Sequence, residues 1–124
     1  MELEDSKIIR YLAGVNHERN DSISLELGRQ VARRLRDTPK LLEVGRANLA
    51  RWSRQNADSP SLLRCYAEWQ RILEQPLESI CELLCAKTDE SQRLRQNSPF
   101  AGVLPPAEVW KIKREIRDHA KRST

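Results

Sequence analysis

The residues best able to do chemistry in this chain are three cysteines and two histidines, and their spacing provides at most half of a metal site. Cys81 and Cys85 lie one helical turn apart and could supply two ligands to a zinc ion. No third or fourth ligand is close in the sequence, because His17 and His119 are both far away. An odd number of cysteines without a disulfide framework is typical of free thiols in a reducing compartment. We therefore predict no metal and interpret these cysteines as small buried hydrophobic residues.

The chain also lacks the sequence motifs that commonly carry catalysis or phosphate binding. It contains no GxxxxGK(S/T) phosphate loop, no GxGxxG turn, no HExxH and no GxSxG. Glu78 and Glu82 are neighbours on a polar helix face, where carboxylates are typically solubilising. We predict a protein that is not an enzyme and binds no cofactor. An enzyme whose acidic groups converge from distant positions is the third alternative, after the two binding functions below.

Length and composition predict a single helical domain over residues 1–124. Hydrophobic residues make up 39% of the chain and charged residues 32%, with a mean hydropathy of −0.70. This polar composition still supports a modest core. No apolar run approaches the roughly 20 residues that cross a bilayer, and residues 1–5 are acidic where a secretory signal would be basic. We therefore predict a cytoplasmic protein that does not interact with membranes.

Hydrophobic periodicity predicts an all-α fold, a compact bundle of six to seven short helices without strands. The first helix is predicted over residues 6–15 and is ended by the polar stretch 16–20. A second helix, capped by Asp21 or Ser22, is expected to run to about Asp37. Residues 1–20 are open to interpretation as a peripheral helix and loop or as part of the core. The later helices are predicted to start at a capping threonine or at a proline in the first turn: Thr38-Pro39, Pro60, Pro76, Thr88 and Pro106.

Tryptophans and helical glycines indicate how these helices pack. Trp69 follows the apolar spacing of its helix and is predicted to lie in the core, whereas Trp52 is expected to be partly exposed. Gly28 and Gly45 fall inside predicted helices, where glycine costs about 1 kcal/mol relative to alanine. Close approach of another helix is the explanation that we predict for both glycines.

Residues 96–105, here called the docking loop, are the segment that helical periodicity does not explain. Phe100 is the only phenylalanine of the chain, and it lies between Pro99 and Gly102, two residues that break regular structure. An apolar loop of this kind docks either onto its own core as a lid or onto a partner. We predict that Arg95, Phe100 and Trp110 form one cluster, with a contact between the two rings. The predicted partner-binding residues are Arg95, Ser98, Pro99, Phe100, Gly102 and Trp110.

Charge is unevenly distributed along the chain, although the net charge is only +4. A basic stretch from residue 29 to 54 and a basic tail flank an acidic segment between them. Such a division favours an oppositely charged partner, either a protein or a nucleic acid. For a nucleic acid, the predicted contacts to the phosphate backbone come from the basic stretch: Arg29, Arg33, Arg34, Arg46, Arg51 and Arg54.

The docking loop and its flanks also resemble a small, uncharacterised bacterial family. Residues 89–104 are similar to its C-terminal signature, an acidic cap followed by R-L-R-Q-x-S-P-F-A-G-(V/L)-L, a proline and a helix with tryptophan. Residues 39–42, 46–52 and 68–69 resemble the middle of the same family, so the resemblance covers about 38–116. Where that family has Pro-Glu-Glu-Arg-Trp after the loop, this chain has Pro-Ala-Glu-Val-Trp.

The resemblance implies a function in a two-gene cassette of the toxin–antitoxin kind. Proteins of this family are associated with the antitoxin side, in some cases beside a nucleotidyltransferase-like gene. We accordingly expect a non-catalytic protein that binds and neutralises, or regulates, the product of a neighbouring gene, with a homodimer left open. The alternative is a small DNA- or RNA-binding regulator that uses the basic stretch.

Overall fold

Helices account for the regular structure of this protein, as predicted. The computed structural model describes the backbone of residues 2–123 and the side chains of residues 20–119. Residues 2–123 contain no strand, which confirms the all-α prediction. The elements are α1 (Glu2–Asp37), a 3₁₀ turn (Pro39–Leu41), α2 (Leu42–Gln55), α3 (Pro60–Ile72), α4 (Leu77–Cys85), α5 (Asp89–Arg95) and α6 (Pro106–Ser123).

The first helix is a single long element, so the predicted break at residues 16–20 is wrong. α1 continues through this stretch, and neither Asp21 nor Ser22 begins a new helix. Glycine, asparagine and serine weaken a helix without removing a backbone donor, so none of them ends it as proline does. Ser24 Oγ donates to the backbone oxygen of Asp21, a bond within the helix. Asn20 is exposed, and whether residues 1–19 belong to the core lies outside the described side chains.

The predicted starts of the later helices are confirmed. Proline occupies the first turn of the 3₁₀ segment and of α3, and Pro76 immediately precedes α4. Thr88 caps α5, because its Oγ1 accepts a hydrogen bond from the backbone N–H of Ser91 at 3.1 Å. Pro106 begins α6. Proline acts through its own backbone and threonine through a side-chain bond to a backbone N–H three residues later, so both favour a helix start within a single turn.

The core gathers side chains from α1 to α5 and from the docking loop. Its centre is Trp69, which is fully buried as predicted and donates from Nε1 to the backbone oxygen of Leu94 at 3.0 Å. Trp52 is half-buried, also as predicted, and packs against Tyr66. Cys81 is buried, and burial raises the pKa of its thiol. Within residues 2–123, no helix is long and apolar enough to span a bilayer.

Two helical glycines allow close approach, but the predicted approach of another helix is confirmed only for Gly28 and is wrong for Gly45. A Cβ atom on Gly28 of α1 would overlap the backbone carbonyl oxygen of Leu84, which lies on α4. A Cβ atom on Gly45 of α2 would lie 3.0 Å from Cε1 of Phe100. The first contact is therefore between two helices, whereas the second brings the docking loop rather than a helix onto α2.

Candidate functional site

The docking loop is held in place by a buried asparagine on α2. Asn48 is 5% exposed and donates from Nδ2 to the backbone oxygens of Pro99 and Ala101, at 2.8 and 2.9 Å. Its Oδ1 accepts from Nη2 of Arg51 at 2.6 Å. Because both amide hydrogens point at loop carbonyls, Asn48 fixes the backbone on either side of Phe100. The docking loop therefore has a fixed backbone conformation at this point.

The inner side of the docking loop closes the core. Pro99 is fully buried, and Phe100 is 4% exposed. The ring of Phe100 meets that of Trp69 edge to face, with 6.0 Å between centroids. No ring contact joins Phe100 to Trp110 within residues 20–119, so that predicted pairing is wrong. Gly102 has φ +95°, a left-handed conformation that favours glycine, and it is exposed.

Arg95, at the end of α5, is a buried cation that binds backbone carbonyls. It is 5% exposed, and its Nη1 donates to the backbone oxygens of Ala86 at 2.6 Å and Leu84 at 3.3 Å. These carbonyls belong to the C-terminal end of α4, where helix carbonyls lack intrahelical partners and carry partial negative charge. Burial lowers the pKa of the guanidinium. The side chain therefore joins the end of α4 to the start of the docking loop.

One polar atom in this region is left without a hydrogen bond. Nη2 of Arg95 is buried and has no partner among the described residues. The Nε atom of the same side chain is 3.4 Å from Oγ of Ser24 on α1. Unsatisfied buried donors are uncommon in proteins. Each one costs about 1–3 kcal/mol, and the cost is higher when the group is charged.

An open groove of about 490 Å³ lies beside this cation. One wall is formed by the α1 residues Ser24, Leu27, Gly28 and Val31, and the other by the docking loop and the start of α6. Five of the six predicted partner-binding residues line it: Arg95, Ser98, Phe100, Gly102 and Trp110. Pro99, the sixth, is buried beneath the loop. Arg95, Phe100 and Trp110 therefore line one groove, although the predicted contact between the two rings is not formed.

Trp110 lies on this groove and is open to solvent. It is 58% exposed, and no other large hydrophobic side chain within residues 20–119 is exposed. Nζ of Lys113 lies 5.5 Å from the ring centroid, a cation–π contact on the same helix. Nearby, Arg34 of α1 forms a 2.6 Å ion pair with Glu108 of α6, which ties the two helices together. Trp110 is therefore an apolar anchor on a fixed helix.

The basic stretch is largely engaged with its own chain. Arg29 and Arg46 pair with glutamates three residues earlier, Arg34 pairs with Glu108, and Arg51 donates to Asn48. Arg33 and Arg54 are exposed. Several residues of the acidic segment also pair internally, since Glu68 and Glu90 contact Arg93 and Glu78 contacts Arg36. The division of charge seen in the sequence is thus reduced at the surface.

Sequence reasoning missed Asn48 and the α1 wall of the groove. A polar residue between Gly45 and Leu49, on the apolar side of α2, is the signal that could have identified Asn48. The α1 wall gives no such signal, because Leu27 and Val31 look like ordinary core positions. Residues 20–119 contain no group of three potential metal ligands.

Comparison with protein-family models, curated proteins and solved structures found no match to this chain. The features of the candidate site are an apolar groove, a solvent-exposed tryptophan and a buried guanidinium. Such a surface can bind a ligand by burying apolar area and by donating hydrogen bonds.

Proposed function

We propose that this protein is a non-catalytic binding protein that receives a segment of a partner protein in the groove between α1 and α6. The observation that carries the proposal is the exposure of Trp110 beside an open apolar groove. Exposed tryptophan is energetically unfavourable in a free protein and is among the residues that dominate binding energy at protein interfaces. Burying it on a partner supplies a reason for its position.

The bonds that hold the groove walls together support this function. α1 and α6 are tied by the Arg34–Glu108 ion pair, and the docking loop is fixed by Asn48. A preformed groove loses little conformational entropy when a partner binds, which favours affinity. The resemblance to antitoxin-like proteins gives the proposal its specific form, in which the partner is the product of an adjacent gene and binding neutralises it.

A matched pair of variants tests the proposal. Trp110→Ala removes the exposed anchor, and Gln70→Ala changes an exposed residue of α3, a helix that contributes nothing to the described groove. Each variant is co-expressed with the adjacent gene product, and co-purification and growth are measured. We expect Trp110→Ala to abolish co-purification at unchanged melting temperature, while Gln70→Ala behaves as wild type. Equal binding by both variants would contradict a function for the groove.

A third variant separates binding from folding. Phe100→Ala removes a ring from the core, where loss of a phenylalanine costs about 3–5 kcal/mol, so we expect its melting temperature to fall sharply.

The nucleic-acid alternative predicts a different result. Binding to a DNA duplex would weaken steeply with added salt and would be lost in Arg33→Ala/Arg54→Ala, with Trp110→Ala unaffected.

A further inference from the structure

We infer that the groove is specific for an acidic amphipathic segment, whose apolar side chains bury Trp110 and whose carboxylate lies against Arg95. This inference rests on the proposed function, and it defines the chemistry of the partner segment. It depends on three observations: the charge of the lining, the state of the Arg95 side chain and the size of the groove.

The lining of the groove is complementary to a negative charge. Arg95 is the only charged residue among the described lining residues, and no aspartate or glutamate is among them. The other lining residues are apolar, glycine or serine. Lys113, positioned over the ring of Trp110, adds a second positive charge near the groove. A ligand that brought a cation into this groove would be repelled, whereas one that brought a carboxylate would be attracted.

Arg95 is prepared to receive that carboxylate. Its side chain is buried, one nitrogen is occupied by carbonyls at the end of α4, and Nη2 has no partner within the described part of the chain. Burial lowers the pKa of the guanidinium, and the nearby charge of Asp21 offsets this effect only in part. Because the guanidinium is already buried in the free protein, binding adds mainly the desolvation cost of the incoming carboxylate.

The physical gain is larger here than at an exposed arginine. Charges interact more strongly in a partly buried, low-dielectric site, and hydrogen bonds between a guanidinium and a carboxylate are about twice as strong as neutral ones. The bonds from Nη1 to Ala86 and Leu84 hold the guanidinium in place, so binding requires little ordering of this side chain.

The groove also has the size and shape for a short segment rather than for a polymer backbone. Its volume of about 490 Å³ falls within the 300–1,000 Å³ typical of ligand sites. A nucleic-acid strand presents a repeated charge and needs a basic track, whereas this groove offers one buried cation in an apolar wall. A peptide with a few apolar side chains and one carboxylate fits this arrangement better.

A displayed library of short random peptides tests the inference without knowledge of the natural partner. The library is selected on the wild-type protein, with counter-selection on Trp110→Ala, and enriched peptides are synthesised for calorimetry. We expect enriched sequences to combine apolar residues with an aspartate or glutamate. Replacing that acid by its amide in the peptide should weaken binding to the wild-type protein at least about tenfold.

The substitution is made in the peptide, so the outcome does not depend on the folding of an Arg95 variant. On the protein side, Arg95→Met should reduce the difference in affinity between the acidic peptide and its amide, provided that the variant melts as a folded protein.

Enriched apolar peptides without an acid, or an amide that binds equally well, would overturn the inference and leave the proposed function intact. Failure to enrich any peptide that distinguishes wild type from Trp110→Ala would count against the proposed function itself. Sedimentation that reveals a dimer dependent on Trp110 would assign the groove to a second copy and overturn the inference.

Discussion

Asn48 and Arg95 fix the docking loop from two directions through the same kind of bond. Each is a buried polar side chain that donates to backbone carbonyls, Asn48 to the loop and Arg95 to the end of α4. Carbonyl oxygens in irregular segments lack partners from secondary structure, so buried side-chain donors must satisfy them. Both residues therefore hold the backbone on one side of the groove, although only Arg95 lines it.

Removal of the Asn48 amide should loosen the docking loop. In Asn48→Ala the backbone oxygens of Pro99 and Ala101 lose their donor, and a small void forms in its place. We expect the free energy of unfolding to fall by about 1–3 kcal/mol, measured by urea denaturation. Arg51→Ala is the matched control, because it removes the exposed partner of Asn48 and leaves both loop bonds, so its effect should be below about 0.5 kcal/mol. Equal effects from the two variants would show that Asn48 does not hold the loop.

Gly28 should reject even the smallest side chain. Alanine is favoured over glycine in a helix interior by about 1 kcal/mol, but at this position its Cβ would overlap the carbonyl oxygen of Leu84. We expect Gly28→Ala to destabilise the protein by about 1–3 kcal/mol, the usual cost of overpacking. Gly45→Ala is the comparison, because its Cβ would lie 3.0 Å from a side-chain atom of Phe100 rather than overlap a backbone oxygen, so we expect a smaller loss. A stabilised Gly28→Ala protein would mean that α1 and α4 can separate without loss.

At the scale of the helices, local signals and long-range packing can be separated. Thr88 and the prolines at 39, 60, 76 and 106 mark starts that were predictable, since capping and the missing proline donor act within one turn. The continuity of α1 was not predictable. Its polar stretch contains residues that favour an end without requiring one, and a long helix absorbs their small individual penalties.

The same contrast explains which parts of the candidate site could be predicted. Trp69 follows helical spacing and was placed in the core correctly. The burial of Arg95 was not foreseeable, because arginine is almost always exposed and its partners, Ala86 and Leu84, are identified only by the fold. The position of Trp110 on a groove could not be predicted either, because the opposite wall comes from α1, which is distant in the sequence.

Thr88 should contribute measurably to the stability of α5. Thr88→Ala removes the oxygen that accepts from the backbone N–H of Ser91, and such caps are worth about 1 kcal/mol. Ser59→Ala is a suitable control, since Ser59 precedes α3 without a side-chain capping bond. Chemical denaturation of the two variants should show a loss only for Thr88→Ala. A comparable loss in both would indicate that capping geometry is not responsible.

At the scale of the whole molecule, ion pairs between helices bring together much of the positive and negative charge that is separated along the sequence. Arg36 of α1 contacts Glu78 of α4, and Arg93 of α5 contacts Glu68 of α3. Each pair is exposed, so its energetic contribution is small and sensitive to salt. Their combined effect is to lower the field that the basic stretch would otherwise present to a distant polyanion.

The Arg36–Glu78 pair gives a pH dependence with a defined sign. The hydrogen bond from Arg36 lowers the pKa of Glu78 below its usual value of 4.5. The pair therefore contributes stability above pH 4.5, and this contribution is lost as the pH falls through the lower pKa of the folded state. Glu78→Gln should be slightly less stable than wild type at pH 7 and indistinguishable from it at strongly acidic pH. Thermal melts across this range measure the difference.

Glu82→Gln supplies the control for this titration. Glu82 is exposed on the same helix and forms no ion pair with the described residues, so Glu82→Gln removes a carboxylate from α4 without breaking an ion pair and should match the stability of wild type at pH 7. A gap between wild type and Glu78→Gln that widens on acidification would reverse the assigned sign.

The unequal environments of the three tryptophans make the protein its own optical probe. Trp69 is shielded and Trp52 half-shielded, so an aqueous quencher such as iodide will act chiefly on the emission of Trp110. A molecule that occupies the groove should reduce the quenchable fraction and shift the emission to shorter wavelength. Titrations can then follow occupancy in unlabelled wild-type protein at concentrations suited to fluorescence.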